Sequence, residues 1–149
     1  SVPIALDLDL NAPDVAVVAH PKALRRAIYD LTRNAMEAMG LEMENQQLRV
    51  STRLSPEHGY LEISIHNNGP AIPANVQRKI FHDIYSNKGD ERGIGLRATV
   101  ERMGGLVWLD SSSEEDGTTF MIRLKIHGAE NEKEFDKEFD KETDNERST

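Results

Sequence analysis

Tyr60-Leu61-Glu62-Ile63-Ser64-Ile65-His66 alternates apolar and polar side chains and then runs straight into Asn67-Asn68-Gly69-Pro70. The first half has the period-2 pattern of a strand with one buried face. The second half is four turn-forming residues in succession, so the strand has to stop abruptly. A glycine and short amides at a strand end leave the backbone open to a flat ligand. Further on, Gly93-Ile94-Gly95-Leu96 opens a segment in which Leu96, Val100 and Met103 fall at helical spacing. A glycine-flanked helix start presents unpaired N–H groups and a positive dipole end, which suit an anion such as phosphate. A flat ring at one end and phosphates at the other describe a nucleotide site. A lone Gly-x-Gly is usually an ordinary turn, so the weight rests on the rest of the chain.

Taken in order, Ile4–Leu10 alternates and reads as a strand, and Asp14–Ala19 reads as a second, more buried one. His20-Pro21 starts a helix, with proline early, where its missing N–H costs nothing. Leu24, Ile28, Leu31, Ala35 and Met39 line one face, and Gly40 is a natural stop. Asp30 and Asn34, four apart, share a face. Gln46–Leu54 and Tyr60–Ile65 read as antiparallel strands joined near Pro56-Glu57-His58-Gly59. Pro73–Phe81 reads as a short helix, Asp83–Arg92 as a polar loop, and Gly93–Met103 as another helix. Leu106–Asp110 and Thr118–Ile126 close the sheet around a turn at Glu114-Glu115-Asp116-Gly117. The expected fold class is α/β: a two-layer sandwich, with a mixed, mostly antiparallel sheet covered on one face by helices.

Composition excludes several classes. The 149-residue chain is long enough for one domain with a sizeable core. It has no cysteine, so neither a disulfide framework nor a Cys-ligated zinc site is available. No apolar run approaches the ~20 residues of a membrane span, and no signal-peptide pattern is present. Net charge is −8, and residues 128–149 hold nine acids against four bases, so the body carries only −3. A basic footprint for nucleic acid is absent. The expected organisation is a domain over 1–127 and an acidic, disordered tail over 128–149. In the tail Lys133-Glu134-Phe135-Asp136 is repeated as Lys137-Glu138-Phe139-Asp140. A sharper reading, with Phe135 and Phe139 as a partner-docking stripe, is set aside.

Four ordered boxes now carry a resemblance. They are Asp30-Leu31-Thr32-Arg33-Asn34-Ala35, the Asn67–Ile72 stretch, Ile80-Phe81-His82-Asp83-Ile84-Tyr85-Ser86-Asn87-Lys88, and Gly93-Ile94-Gly95-Leu96. Gly117-Thr118-Thr119-Phe120 closes the series. Together they resemble the Asn box, glycine boxes and Phe box with lid of the Bergerat-type ATP-binding fold. Within that superfamily the chain is similar to the catalytic ATP-binding domain of bacterial sensor histidine kinases, over roughly residues 1–127.

The resemblance implies ATP and Mg²⁺ as cofactors. It makes Asn34 the Mg²⁺ ligand, since this ion takes oxygen ligands and keeps several waters. It places Asn67, Gly69 and Ala71 at the adenine, and Lys88, Gly93, Gly95 and Leu96 at the phosphates. Thr118 falls beside the adenine-side water, or is a plain strand threonine. Lys88 reaches the γ-phosphate, or is a solvated loop cation. Asp30 stands where these kinases usually have Asn, and is either a catalytic base near the metal or a solvated helix acid. His66 and His82 sit inside boxes given to other roles, not as phospho-acceptors.

Three positions depart from the family pattern. Asn67 replaces the acid that accepts from the adenine amino group, an expected loss on the order of 1 kcal/mol. Ala71 adds a methyl where the family has glycine. Glu91 replaces a glycine, and a carboxylate ~6 Å from phosphate costs about 3 kcal/mol at an effective dielectric near 20. All three are expected to weaken ATP binding.

The implied activity is histidine protein kinase phosphotransfer in a two-component phosphorelay. The γ-phosphate is presented to a His on a separate dimerising helical hairpin, with a response regulator downstream, in the cytoplasm. The chain opens directly on its first strand, so that hairpin is expected outside it. The alternative is a degenerate pseudokinase that acts as a protein-docking module. The chaperone and mismatch-repair ATPases are disfavoured by the short lid from Phe81 to Gly93, while an anti-sigma-factor-type serine kinase stays open.

Overall fold

The computed structural model describes residues 3–85 and 96–128, the side chains of residues 80–85 apart. Five strands and three helices follow one another as β1 Ala5–Leu10, α1 Pro21–Met39, β2 Gln47–Leu54, β3 Tyr60–Asn67, α2 Ala74–Tyr85, α3 Leu96–Arg102, β4 Leu106–Ser113 and β5 Gly117–Lys125. The sheet order is β1-β2-β3-β5-β4. β1 and β2, joined through α1, are parallel, and the other three pairings are antiparallel. This is the expected mixed, mostly antiparallel sheet.

Alternation along the strands builds the core. Leu61, Ile63 and Ile65 of β3 share a face with Phe120, Ile122 and Leu124 of β5, and all six are buried. Ala27, Leu31 and Ala35 of α1 and Val100 of α3 close over them, the helical stripe read from the sequence. Burying a side chain of this size contributes about 1.5–3 kcal/mol. The helical layer stops short of the sheet edge, and Leu6, Leu8 and Leu10 of β1 stay exposed.

The opposite face of the sheet is held by charge. Glu62, only 2% exposed, pairs with Arg53 at 2.9 Å and Arg123 at 3.1 Å. Arg123 also lies over the Trp108 ring, 5.1 Å from its centre.

Two readings need correction. Asp14–Ala19 is no strand; only Val17 bridges Ile126, flanked by bonds from Val18 N–H to Lys125 O and from His127 N–H to Ala16 O. The reason lies in β5: β3 and β4 occupy both its edges, and only past Arg123, where β4 ends its pairing, does an edge open. The second concerns element ends. α2 continues to Tyr85, so Asp83 is helical; α3 ends at Arg102, its expected start at Gly93 lying outside the described residues; β4 continues to Ser113 rather than stopping at Asp110.

Candidate functional site

The turn after β3 is built from its own amides. Asn68 faces out and clamps the strand end to the approach of β2, accepting from Gln47 N–H at 2.8 Å and donating to Asn45 O at 2.8 Å. Asn67 faces in and is 1% exposed. Its Oδ1 accepts from Gly69 N–H at 2.9 Å, and its Nδ2 has no partner among the described residues. A buried amide donor left unsatisfied costs about 1–3 kcal/mol, so it marks a place where a ligand acceptor would be welcome. Gly69 is required by contact: a Cβ there would lie 2.8 Å from Asn67 Oδ1.

Asn67 belongs to a polar row that crosses three strands. It stands opposite Thr118 on β5, and Thr118 stands opposite Ser112 on β4. Thr118 is fully buried, and its Oγ1 shares a hydroxyl hydrogen with Ser112 Oγ at 2.7 Å. Ile72 N–H donates to the same Ser112 Oγ at 2.9 Å, which straps the segment after the turn across the end of the sheet. Gly117 begins β5 at φ +78°, and a Cβ there would meet Asn67 O at 2.0 Å. Only glycine allows this approach.

Above this row lies a cavity of about 400 Å³, within the ordinary range for small-molecule sites. Ala38, Pro70, Ile72, Val76 and Phe120 supply apolar wall, and Asn34, Glu37, Asn67 and Lys79 supply polar groups. Ala71 also borders it. Asn34 comes from α1, one turn past Asp30. Asp30 is not on the wall; it pairs with Arg26 at 3.2 Å on the helix surface. Glu37 is engaged by Arg33 at 3.0 Å.

Of the residues singled out from sequence, the fold brings Asn34, Asn67, Gly69, Ala71 and Thr118 together around this cavity and the row beneath it. Leu96 opens α3 and packs against the core. Lys88, Glu91, Gly93 and Gly95 lie outside the described residues, and so does the tail beyond Gly128. His66 points to the other face, Nδ1 2.8 Å from Thr119 Oγ1. Burial, helped by Arg49, holds its imidazole below the usual range against an upward pull from Asp116.

Sequence reasoning missed Ser112 and Lys79, and gave Gly117 only as a turn residue and the start of the closing box. Ser111-Ser112-Ser113 has the composition of a loop, and a register shift between Leu109 and Ser111 is what turns Ser112 toward Thr118. Lys79 carried no signal beyond its place on a short helix.

Asn34 has a hard oxygen donor for Mg²⁺. Among the described residues no group of three His, Cys, Asp or Glu side chains could hold a metal alone. Any cation here would therefore be shared with ligand oxygens. The Asn67 Nδ2, the buried Thr118 hydroxyl and the flat apolar walls fit a nucleotide base. Among the described residues no Ser, Thr, Cys or His lines the cavity, and the arrangement is one for binding and positioning.

Comparison with known proteins gives the same picture. Residues 19–128 match the family described as histidine kinase-, DNA gyrase B-, and HSP90-like ATPase. The C4-dicarboxylate transport sensor protein DctB of Rhizobium meliloti is 28% identical over 124 residues, covering 81% of this chain and 19% of that protein. The sensor histidine kinase DcuS of Escherichia coli K12 is 31% identical over 111 residues, covering 72% of this chain and 20% of its own. The chain thus spans about a fifth of these curated relatives' length. In fold it is similar to the ATP binding domain of PrrB from Mycobacterium tuberculosis, with a TM-score of 0.59 at 22% identity over 83% of this chain and 80% of that one.

Proposed function

Since the chain belongs to the histidine kinase-, DNA gyrase B- and HSP90-like ATPase family and is an ATP-binding catalytic domain of the sensor-kinase kind, we propose that it binds Mg²⁺–nucleotide in the cavity above Asn67 and Thr118. The observation that carries this reading is the buried Asn67 amide with an unpartnered donor on the wall of a cavity that also holds Asn34. Asn34 would hold Mg²⁺ together with phosphate oxygens, and the ion would supply charge neutralisation there. Asn67, Gly69 and Ala71 form the base end, with Thr118 behind them. Lys88, Gly93, Gly95 and Leu96 are assigned to the phosphate end.

The whole protein is proposed to act as a histidine protein kinase. In this reading the domain orients the γ-phosphate toward a His on a separate dimerising helical hairpin, and a response regulator receives the phosphoryl group. The setting is the cytoplasm. Among the described residues no helix is long and apolar enough to cross a membrane. The acidic stretch over 128–149 is proposed to lie outside the folded unit. The docking-module alternative has less support, because a cavity lies beside Ala71 and the similarity runs to sensor kinases.

Calorimetric titration with ATP at saturating Mg²⁺ tests the reading. Asn34→Ala should weaken Mg²⁺-dependent binding by about tenfold or more while the fold survives. Equal affinity in both proteins would remove Asn34 from the metal site, and no binding by either would remove the nucleotide.

A further inference from the structure

The direction of the Asn67 amide has a consequence for the base. Its Oδ1 already accepts from Gly69 N–H at 2.9 Å. Turning the amide over would set Nδ2–H against Gly69 N–H, donor to donor, and would also break the bond that shapes the turn. The group left without a partner among the described residues is Nδ2–H, a donor on a side chain that is 1% exposed and borders the cavity.

Purines divide sharply on this point. Position 6 of adenine carries an amino group, a donor; position 6 of guanine and hypoxanthine carries a carbonyl, an acceptor. A base-reading residue that presents a donor satisfies the second kind and leaves the first facing donor to donor. We propose that Asn67 sets the base preference of this pocket toward 6-oxopurine nucleotides, inosine and guanosine, over adenosine nucleotides. The inference rests on the nucleotide reading of the cavity and refines it at the base; the phosphate end is untouched. Asn67 acts here as a specificity residue: its buried Nδ2 gains the O6 acceptor and is otherwise unpaired. Adenine still enters, with its amino group unread.

The test is calorimetric titration of the whole chain with ADP and with IDP at saturating Mg²⁺, in the wild type and in Asn67→Asp. IDP avoids the additional 2-amino group of guanine. The wild type should bind IDP about tenfold more tightly than ADP, one neutral hydrogen bond gained in place of one mismatch. Asn67→Asp should invert the order, since a carboxylate accepts from the adenine amino group and repels O6. The wild-type comparison needs no substitution and stands even if the variant folds poorly. ADP binding to the wild type as tightly as IDP, or more tightly, overturns the base preference and leaves the nucleotide reading in place. No binding of either nucleotide to wild type or variant overturns both.

Discussion

Gly69→Ala isolates the contact on which the turn depends. The added Cβ would sit 2.8 Å from Asn67 Oδ1 and 3.1 Å from Met39 Cγ. Asn67 is 1% exposed, so its amide cannot swing into solvent. Relieving the overlap with Oδ1 stretches the 2.9 Å bond from Gly69 N–H out of hydrogen-bond range. A buried donor and acceptor then lose each other, at about 1–3 kcal/mol. The Met39 side chain is flexible and yields at little cost. Gly69 is not among the glycines with positive φ, so alanine brings no backbone strain and returns about 0.4–1 kcal/mol through the unfolded chain. The net loss should be about 1–2 kcal/mol, read as a lower urea midpoint at unchanged slope. The control is the same substitution in an Asn67→Ala background, where no Oδ1 remains to strike. There only the gain through the unfolded chain should remain, about 0.4–1 kcal/mol of stabilisation, a coupling of about 1–3 kcal/mol between the two sites. Additive losses would refute the reasoning, for the glycine would then be protecting something other than the Asn67 bond.

Three further outcomes are expected. Glu62→Gln should cost about 1–3 kcal/mol in urea unfolding, because Arg53, Arg123 and Ser55 all donate to that carboxylate. Burial pushes the Glu62 carboxyl up, but these bonds outweigh it and hold it below the usual range. The difference between wild type and Glu62→Gln should therefore be full at neutral pH and shrink as pH falls through the carboxylate range; a constant difference would remove the charge from the explanation. His66 has its pKa lowered chiefly by burial, so the unfolded chain binds the extra proton and stability should fall as pH drops below about 6.5. His66→Gln should flatten that part of the profile, and an unchanged slope would assign it to another group. Deleting residues 129–149, a cut that spares the bond from His127 N–H to Ala16 O, should leave Tm almost unchanged; a fall of several degrees would place Phe135 and Phe139 on the body.

Much of the architecture was legible along the chain because it is written in short-range periods. The two-residue alternation from Tyr60 to Ile65 and the helical stripe through Leu31 and Ala35 need only neighbours to be read, and both elements stand where the spacing put them. The turn at Asn67-Asn68-Gly69-Pro70 was equally local. Asp14–Ala19 misled for the converse reason: its apolar residues look like a strand, but strands need a free edge, and β5 offers one only beyond Arg123. Edge availability is a property of the assembled sheet.

The site divides in the same way. Residue types that can hold a nucleotide were visible in Asn34, Asn67, Gly69 and Thr118. Their arrangement was not, because Asn67, Thr118 and Ser112 meet only through the register of three strands, and Ser112 only through a register shift. From the sequence, Asn67 was an amide that could still accept. The fold added what the sequence could not show: Gly69 N–H donates to the amide oxygen, and the nitrogen has no partner among the described residues. An amide has one donor end and one acceptor end, and which of them faces a ligand depends on what the fold has placed against the other.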